Sequence, residues 1–186
     1  CSALIKTPKI AREIIRAAKN GAPSLPISVK TRIGYSNLLE YKKWIPEILK
    51  EDISALTIHL RTRKEMSSAL AHWELAGDIV RVARRVNKKT VLIANGDIFS
   101  LEDGRKKAIE SGFDGIMIGR GVFGNPWIFD NKRKSLPTTN EKLKVLVEHS
   151  KLFEKLLGDI KSFAIMKKHF KAYVGGFERA KELRIK

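Results

Sequence analysis

One cysteine, Cys1, stands in 186 residues, which excludes an internal disulfide framework and is compatible with a reducing cytosol. Cys1 has no evident activating base and reads as incidental. The four histidines, His59, His72, His149 and His169, show no HxxxH or carboxylate partner spacing, so no metal site is expected. GxSxG, CxxC and Walker patterns are also absent. No apolar run approaches the ~20 residues needed to span a bilayer, and no charged-then-apolar signal segment opens the chain. A cytoplasmic, non-membrane protein is therefore expected. Acidic residues are scarce, with 20 Asp and Glu against 37 Lys and Arg, for a net charge of +17. Such an excess is expected of a protein that holds a polyanion, although charge does not separate RNA from DNA. At 43% hydrophobic the chain can bury a core, which excludes a disordered class. No solenoid-type repeat is visible.

What is present is an alternation of short apolar runs and helix-length charged segments. Thr7-Pro8 opens a helix with Ile10, Ile14, Ile15 and Ala18 at helical spacing, stopped at Asn20-Gly21. Four strands follow, Ile27–Lys30, Leu56–His59, Val91–Asn95 and Gly115–Gly119, separated by helices over 38–50 and 73–86 and by the charged segment after Phe99. Strict βα alternation predicts a parallel sheet, either doubly wound or the C-terminal half of a TIM (β/α)₈ barrel. Four units are half of a barrel, whose usual length is about 250 residues. The leading helix has no strand before it, so the other half is expected upstream.

After Phe129 the composition changes. The basic linker 131–137 precedes a helix capped by Thr139 or Asn140, with a stripe of Leu143, Leu146, Val147, Phe153 and Leu157. A second helix over 160–174 carries Phe163, Ile165, Met166 and Phe170, and a short basic helix ends the chain. The expected domains are thus a partial barrel over 1–130, a linker over 131–137 and a small all-α domain over 138–186.

Each strand ends in polar residues, where α/β folds place their chemistry. Asn95-Gly96-Asp97 and Gly119-Arg120-Gly121 follow the last two strands and read as backbone-amide phosphate loops, or as plain glycine turns. Lys30 stabilises a developing anion at the barrel mouth, or snorkels at the surface. His59 is a structural histidine or a member of the same site. Four such residues at equivalent strand ends, Lys30, His59, Asn95 and Arg120, point to one shared site.

In order along the chain, SVKTRIG, TIHLRTR, IANGDIFS and GIMIGRGVFGNPWIF resemble the strand-end signatures of tRNA-dihydrouridine synthases. CSALIKTP resembles the stretch after that family's active-site cysteine loop, and MKKHFKAYVGGFERAKELR is similar to its C-terminal helical domain. The resemblance implies an FMN enzyme that reduces uridine in tRNA to 5,6-dihydrouridine with NADPH. By position it implies that Lys30 and His59 contact the flavin, Asn95, Gly96 and Asp97 line its ribityl and phosphate region, and Gly119 and Arg120 bind the phosphate. Arg61 and Arg63, on the loop after His59, are implied to steer RNA, and Lys167, Lys168 and His169 to bind it.

The family's acid is a cysteine in an N-x-G-C-P loop. Cys1 does not match it, so the catalytic cysteine is expected upstream of residue 1 and this chain, as a fragment, is expected to be inactive alone. The full-length protein is expected to be a monomer. The family usually has Gln, Tyr, Gly and Asp where this sequence has Glu65, Ser67, Ala69 and His72, and Ala172 stands where tryptophan is frequent. Two other readings remain. One is a different FMN barrel of the dihydroorotate or dihydropyrimidine dehydrogenase type, which would not need a basic bundle. The other is an RNA-binding protein without catalysis.

Overall fold

The computed structural model describes residues 2–133 and 135–185; the expectation placed on Cys1, Lys134 within the expected linker and Lys186 at the end of the expected helical domain lie outside them. The chain divides into two compact units, Cys1–Gly119 and Arg120–Lys186.

The first unit alternates helix and strand: α1 (Pro8–Gly21), β1 (Ser28–Gly34), α2 (Tyr41–Leu49), β2 (Ala55–Thr62), α3 (Ala76–Val86), β3 (Val91–Asn95), α4 (Leu101–Ser111) and β4 (Gly115–Met117). All strand pairs are parallel, in the spatial order β1-β2-β3-β4. A doubly wound sheet reverses its strand order at a switch point, and this one does not. The sheet is an α/β arrangement consistent with part of a TIM barrel.

Successive strand side chains point to opposite faces. Ile33, Leu56, Ile58, Leu60, Leu92 and Ala94 are all fully buried. They pack with Tyr41, Ile45 and Ile48 of α2 and Ile79 of α3 in one apolar cluster. Burial of each large aliphatic side chain contributes about 1.5–3 kcal/mol, which makes this face the core of the unit. The predicted apolar stripe of α1 is only partly used: Ala11 and Ile15 are buried, while Ile10 and Ile14 are about half exposed.

Two predicted strands are longer than expected and one is shorter. β1 runs on through Thr31-Arg32-Ile33-Gly34, which had looked like a polar loop, because Thr31 and Ile33 turn into the core while Arg32 faces the other way. Thr31 accepts a hydrogen bond from Trp44 Nε1 at 2.8 Å, which satisfies its buried hydroxyl. β2 likewise continues to Thr62, and β4 stops at Met117 rather than Gly119.

Just after α2, Glu51 is buried and tied to two cations of α1. Arg16 Nε and Nη2 donate to its oxygens at 2.7 and 2.9 Å, Arg12 Nε donates to it as well, and Lys19 Nζ reaches its carbonyl at 2.9 Å. Hydrogen bonds from Arg16 and Arg12 pull the Glu51 carboxyl down to about 2. A carboxyl depressed in the folded state stabilises above its unfolded pKa of about 4.3 and loses that contribution as pH falls towards 2. Arg12 and Arg16 are partly exposed, so solvent screens the pairs, and Glu51→Gln is expected to cost about 1–2 kcal/mol at pH 7 and to flatten the acid limb of stability between pH 4.5 and 2. Urea titrations at stepped pH measure both; a variant with an unchanged acid limb contradicts the assignment.

The second unit contains α5 (Thr139–Leu157), α6 (Lys167–Tyr173) and α7 (Ala180–Ile185), with 3-10 turns at Arg120–Val122 and Phe163–Met166. Its start at Arg120, earlier than the expected break after residue 130, has a packing reason. A Cβ at Gly124 would lie 2.5 Å from Ala172 O, and Phe123 packs edge-on against His169 with ring centroids 5.3 Å apart. The α5 cap is Thr138 rather than Thr139 or Asn140. Its hydroxyl and Glu141 form a reciprocal capping box, which satisfies two otherwise unpaired N–H groups. The expected single helix over 160–174 is broken: Ser162 caps a 3-10 turn, accepting from Ala164 N, and α6 begins only at Lys167. No helix among the described residues is long and apolar enough to cross a membrane.

Candidate cofactor and substrate site

The sheet face away from the core carries the polar residues, and strand register sorts them into rows. Arg32, His59, Asn95 and Met117 are successive partners across β1 to β4, and Lys30, Thr57, Ile93 and Gly115 form the row two residues earlier. Sequence reading placed Lys30 at a strand end level with His59. It lies instead inside β1, and the residue level with His59 is Arg32, which was missed. Alternation along the strand was the signal: Arg32 is two residues after Lys30 and so shares its face.

His59 is half-buried and its proton can be assigned from geometry. Arg61 Nη1 lies 3.1 Å from His59 Nε2; a guanidinium only donates, so Nε2 accepts and the ring proton sits on Nδ1. Burial, then Arg32, Lys30 and Arg61, push the imidazole down to about 4 against the opposing pull of Asp97. His59 is neutral at physiological pH.

Arg61 also departs from expectation. It belongs to β2, not to a loop, and is 2% exposed. Its Nη2 pairs with Asp97 Oδ2 and its Nε donates to Ala69 O at 2.7 Å. The guanidinium is committed to internal partners, which leaves it poorly placed to meet a macromolecule. Its observed contacts fix His59 and Asp97. Arg63 does lie on the loop after β2, exposed, with its N–H on Gly34 O at 2.8 Å.

The loop after β3 is built tightly. Asp97 Oδ2 accepts Ala71 N at 2.9 Å, and Lys107 Nζ donates to Asp97 O at 3.2 Å. Trp73 Nε1 donates to Gly96 O at 3.0 Å, and Asn95 Nδ2 donates to Met117 O at 2.7 Å. Gly96 adopts φ +132°, and a Cβ there would sit 2.7 Å from Ala71 Cβ and 3.1 Å from His59 Cδ2. Only glycine accommodates both constraints.

Lys30 and Arg32 give this face its charge. Lys30 is exposed overall, yet burial of its ammonium and the adjacent Arg32 hold it below its usual range. It has no ion pair among the described residues. Burial, Arg61 and Arg63 similarly lower Arg32, whose Nη1 donates to two carbonyls, Thr62 O at 2.8 Å and Met66 O at 3.1 Å. Two cations beside a neutral donor, without a carboxylate salt bridge to either, suit an anionic or electron-rich ligand edge. The donor set therefore fits a flavin's pyrimidine portion.

Gly119 closes the first unit and Arg120 opens the second, both exposed. Lys167 and Lys168 are exposed on α6, with Lys168 Nζ 5.7 Å from the Phe123 ring centroid. His169 is half-buried in an aromatic cluster, its ring 4.9 Å from that of His149, which in turn lies 6.2 Å from Tyr173. Burial, His149 and Lys168 lower the pKa of His169.

Residues 1–186 match the family described as dihydrouridine synthase (Dus). The chain is 45% identical over 184 residues to the probable tRNA-dihydrouridine synthase of Staphylococcus aureus strain Mu50, covering 98% of this chain and 55% of that protein. It is 44% identical over 184 residues to probable tRNA-dihydrouridine synthase 2 of Bacillus subtilis strain 168, covering 98% and 56%. It thus spans about half the length of the curated relatives it matches. Matched from its first residue to its last, the chain belongs to the dihydrouridine synthase family.

Proposed function

We propose that this chain carries the cofactor face and an RNA-binding surface of an FMN enzyme that reduces uridine in tRNA to 5,6-dihydrouridine with NADPH. The observation that carries the reading is a pair of cations, Lys30 and Arg32, with no carboxylate salt bridge to either among the described residues, beside a neutral His59 held by Arg61, which is itself paired with Asp97. Lys30, with Arg32 and the Nδ1–H of His59, would hold the pyrimidine portion of FMN. Asn95, Gly96 and Asp97 would line the ribityl and phosphate region, with Gly119 and Arg120 on the phosphate. When bound, FMN supplies the hydride for the uracil ring.

The protein residues have separate tasks. Lys30 and Arg32 place positive charge where negative charge collects on the ligand, an interaction strengthened by partial exclusion of water. His59, with a pKa of about 4, is not the acid that protonates the uracil C5 at neutral pH. It orients and hydrogen-bonds. Arg63, Lys167, Lys168 and His169 would contact tRNA, whose phosphates account for the excess basic charge. The second unit would serve as the small all-α, RNA-facing domain.

FMN titration followed by flavin fluorescence tests the site. Lys30→Ala removes a charge-assisted hydrogen bond and is expected to weaken FMN at least about tenfold, from a contribution of about 1.5–3 kcal/mol. NADPH-dependent dihydrouridine formation in unmodified tRNA tests the reaction, using the protein with any flanking residues its gene encodes. A protein that neither binds FMN nor modifies tRNA overturns the proposal.

A further inference from the structure

The segment that joins β2 to α3 is fastened by a carboxylate–imidazole–carboxylate clamp. His72 Nε2 lies 2.8 Å from Glu65 Oε1, and His72 Nδ1 lies 2.7 Å from Glu74 Oε1. Ionised carboxylates only accept, so both ring nitrogens donate and the ring is an imidazolium. Partial burial opposes that charge, but the hydrogen bonds to Glu65 and Glu74 outweigh it and raise the His72 pKa. His72 and His59, thirteen positions apart, are therefore held in opposite protonation states.

The clamp reaches the site through backbone groups. Glu65 Oε2 accepts Thr62 N at 2.7 Å and Thr62 Oγ1 at 2.9 Å. The carbonyl of Thr62 and that of Met66, the residue after Glu65, are the two acceptors of Arg32 Nη1. Met66 has φ +53°, a left-handed conformation that a non-glycine residue keeps only where its surroundings impose it. His72 N donates to Leu60 O at 2.7 Å, which anchors the return of the segment to β2. The charged groups facing His72 are Glu65 from the loop and Glu74 from the 3-10 turn Trp73–Leu75. On the far side of Glu65, Arg32 is attracted by its carboxylate and repelled by Arg61 and Arg63.

We propose that His72 and Glu65 are positioning residues: as a charged pair they hold the Thr62 and Met66 carbonyls, and through them fix the guanidinium of Arg32 on the site face. The consequence for ligand binding rests on the FMN reading above; the ordering of the loop does not. A histidine raised in the folded state stabilises below its unfolded pKa of about 6.5, and that contribution disappears as pH rises through the folded value. Deprotonation leaves one ring nitrogen without a hydrogen to donate, and one carboxylate is released.

Three measurements on the flavin-loaded protein and its His72→Gln and His72→Ala variants test this. Imidazole NMR titration is expected to show His72 titrating above the ordinary histidine value and His59 well below it. Amide exchange over residues 63–71, corrected for intrinsic rates, is expected to accelerate about tenfold as pH rises through the His72 transition. His72→Ala is expected to exchange fast at all pH values. His72→Gln, which still donates one hydrogen bond but does not titrate, is expected to lose the pH dependence. In FMN affinity, read from flavin fluorescence on dilution, His72→Ala is expected to weaken binding about tenfold at all pH values, whereas the wild type is expected to weaken only as pH rises through the His72 transition and His72→Gln to lose that pH dependence. A His72 that titrates at or below the ordinary value, or exchange unchanged in His72→Ala, overturns the clamp. Exchange that behaves as expected with an unaltered FMN affinity confines the clamp to loop order and overturns the positioning role. Wild-type protein without turnover, but with the titration and exchange as expected, refutes the enzymatic reading and leaves the clamp standing.

Discussion

Asp97→Ala is expected to destabilise the protein by about 3–5 kcal/mol, the range for stranding one partner of a buried ion pair. Arg61 is 2% exposed, and Asp97 is the carboxylate paired with its guanidinium. Removal of Asp97 leaves a buried cation beside His59 and also strips the acceptor from Ala71 N. Asp97→Asn keeps a hydrogen-bonding oxygen but not the charge, and a loss of about half that size is expected. Urea denaturation at pH 7 measures both. A cost below about 1 kcal/mol for Asp97→Ala would mean that water reaches Arg61 and that the pair contributes as a surface bridge does.

Gly96→Val is the second large effect, expected at about 2–4 kcal/mol. The backbone at φ +132° is strained for any L side chain, and the first added carbon already meets Ala71 Cβ at 2.7 Å and the His59 ring at 3.1 Å. Because the displaced ring belongs to the proposed cofactor face, FMN affinity is expected to fall together with stability. Gly77→Ala provides the contrast. Gly77 lies in α3 with nothing within 4 Å of an added Cβ, so alanine is expected to stabilise by about 0.5–1 kcal/mol with FMN affinity unchanged. Equal responses at the two positions would remove the claim that the loop after β3 is fitted to His59.

Much of the first unit was legible residue by residue. Val91–Asn95 is a strand with the predicted bounds, because its apolar run is uninterrupted and an amide ends it. Pro8 starts α1 because proline at the first helical turn has no N–H to leave unpaired. Polar residues that continue a strand were not legible. Arg32 and Arg61 look like loop residues by composition, and they are strand residues because their neighbours Thr31, Ile33, Leu60 and Thr62 are buried on the opposite face. The break before α6 was missed for a related reason: the hydrophobic spacing continues through it, and a local Ser162 cap overrides the pattern.

The site was half legible. His59, Asn95, Gly96 and Asp97 occupy one end of the sheet, as the repeated strand-end pattern implied. The motifs that carry the family resemblance lie in the residues that later matched the family. Arg32, the Arg61–Asp97 lock and the His72 clamp emerged only from the folded chain.

The sequence alone determined the βα alternation, the basic charge and the family, because these depend on local periodicity, composition and short motifs. Tertiary structure decided which residues share a row across the sheet, which arginine is buried and which histidine carries a proton. Those properties depend on strand register and on partners distant in sequence. Arg61 and Asp97 are 36 positions apart, and the contact between them has no local signature.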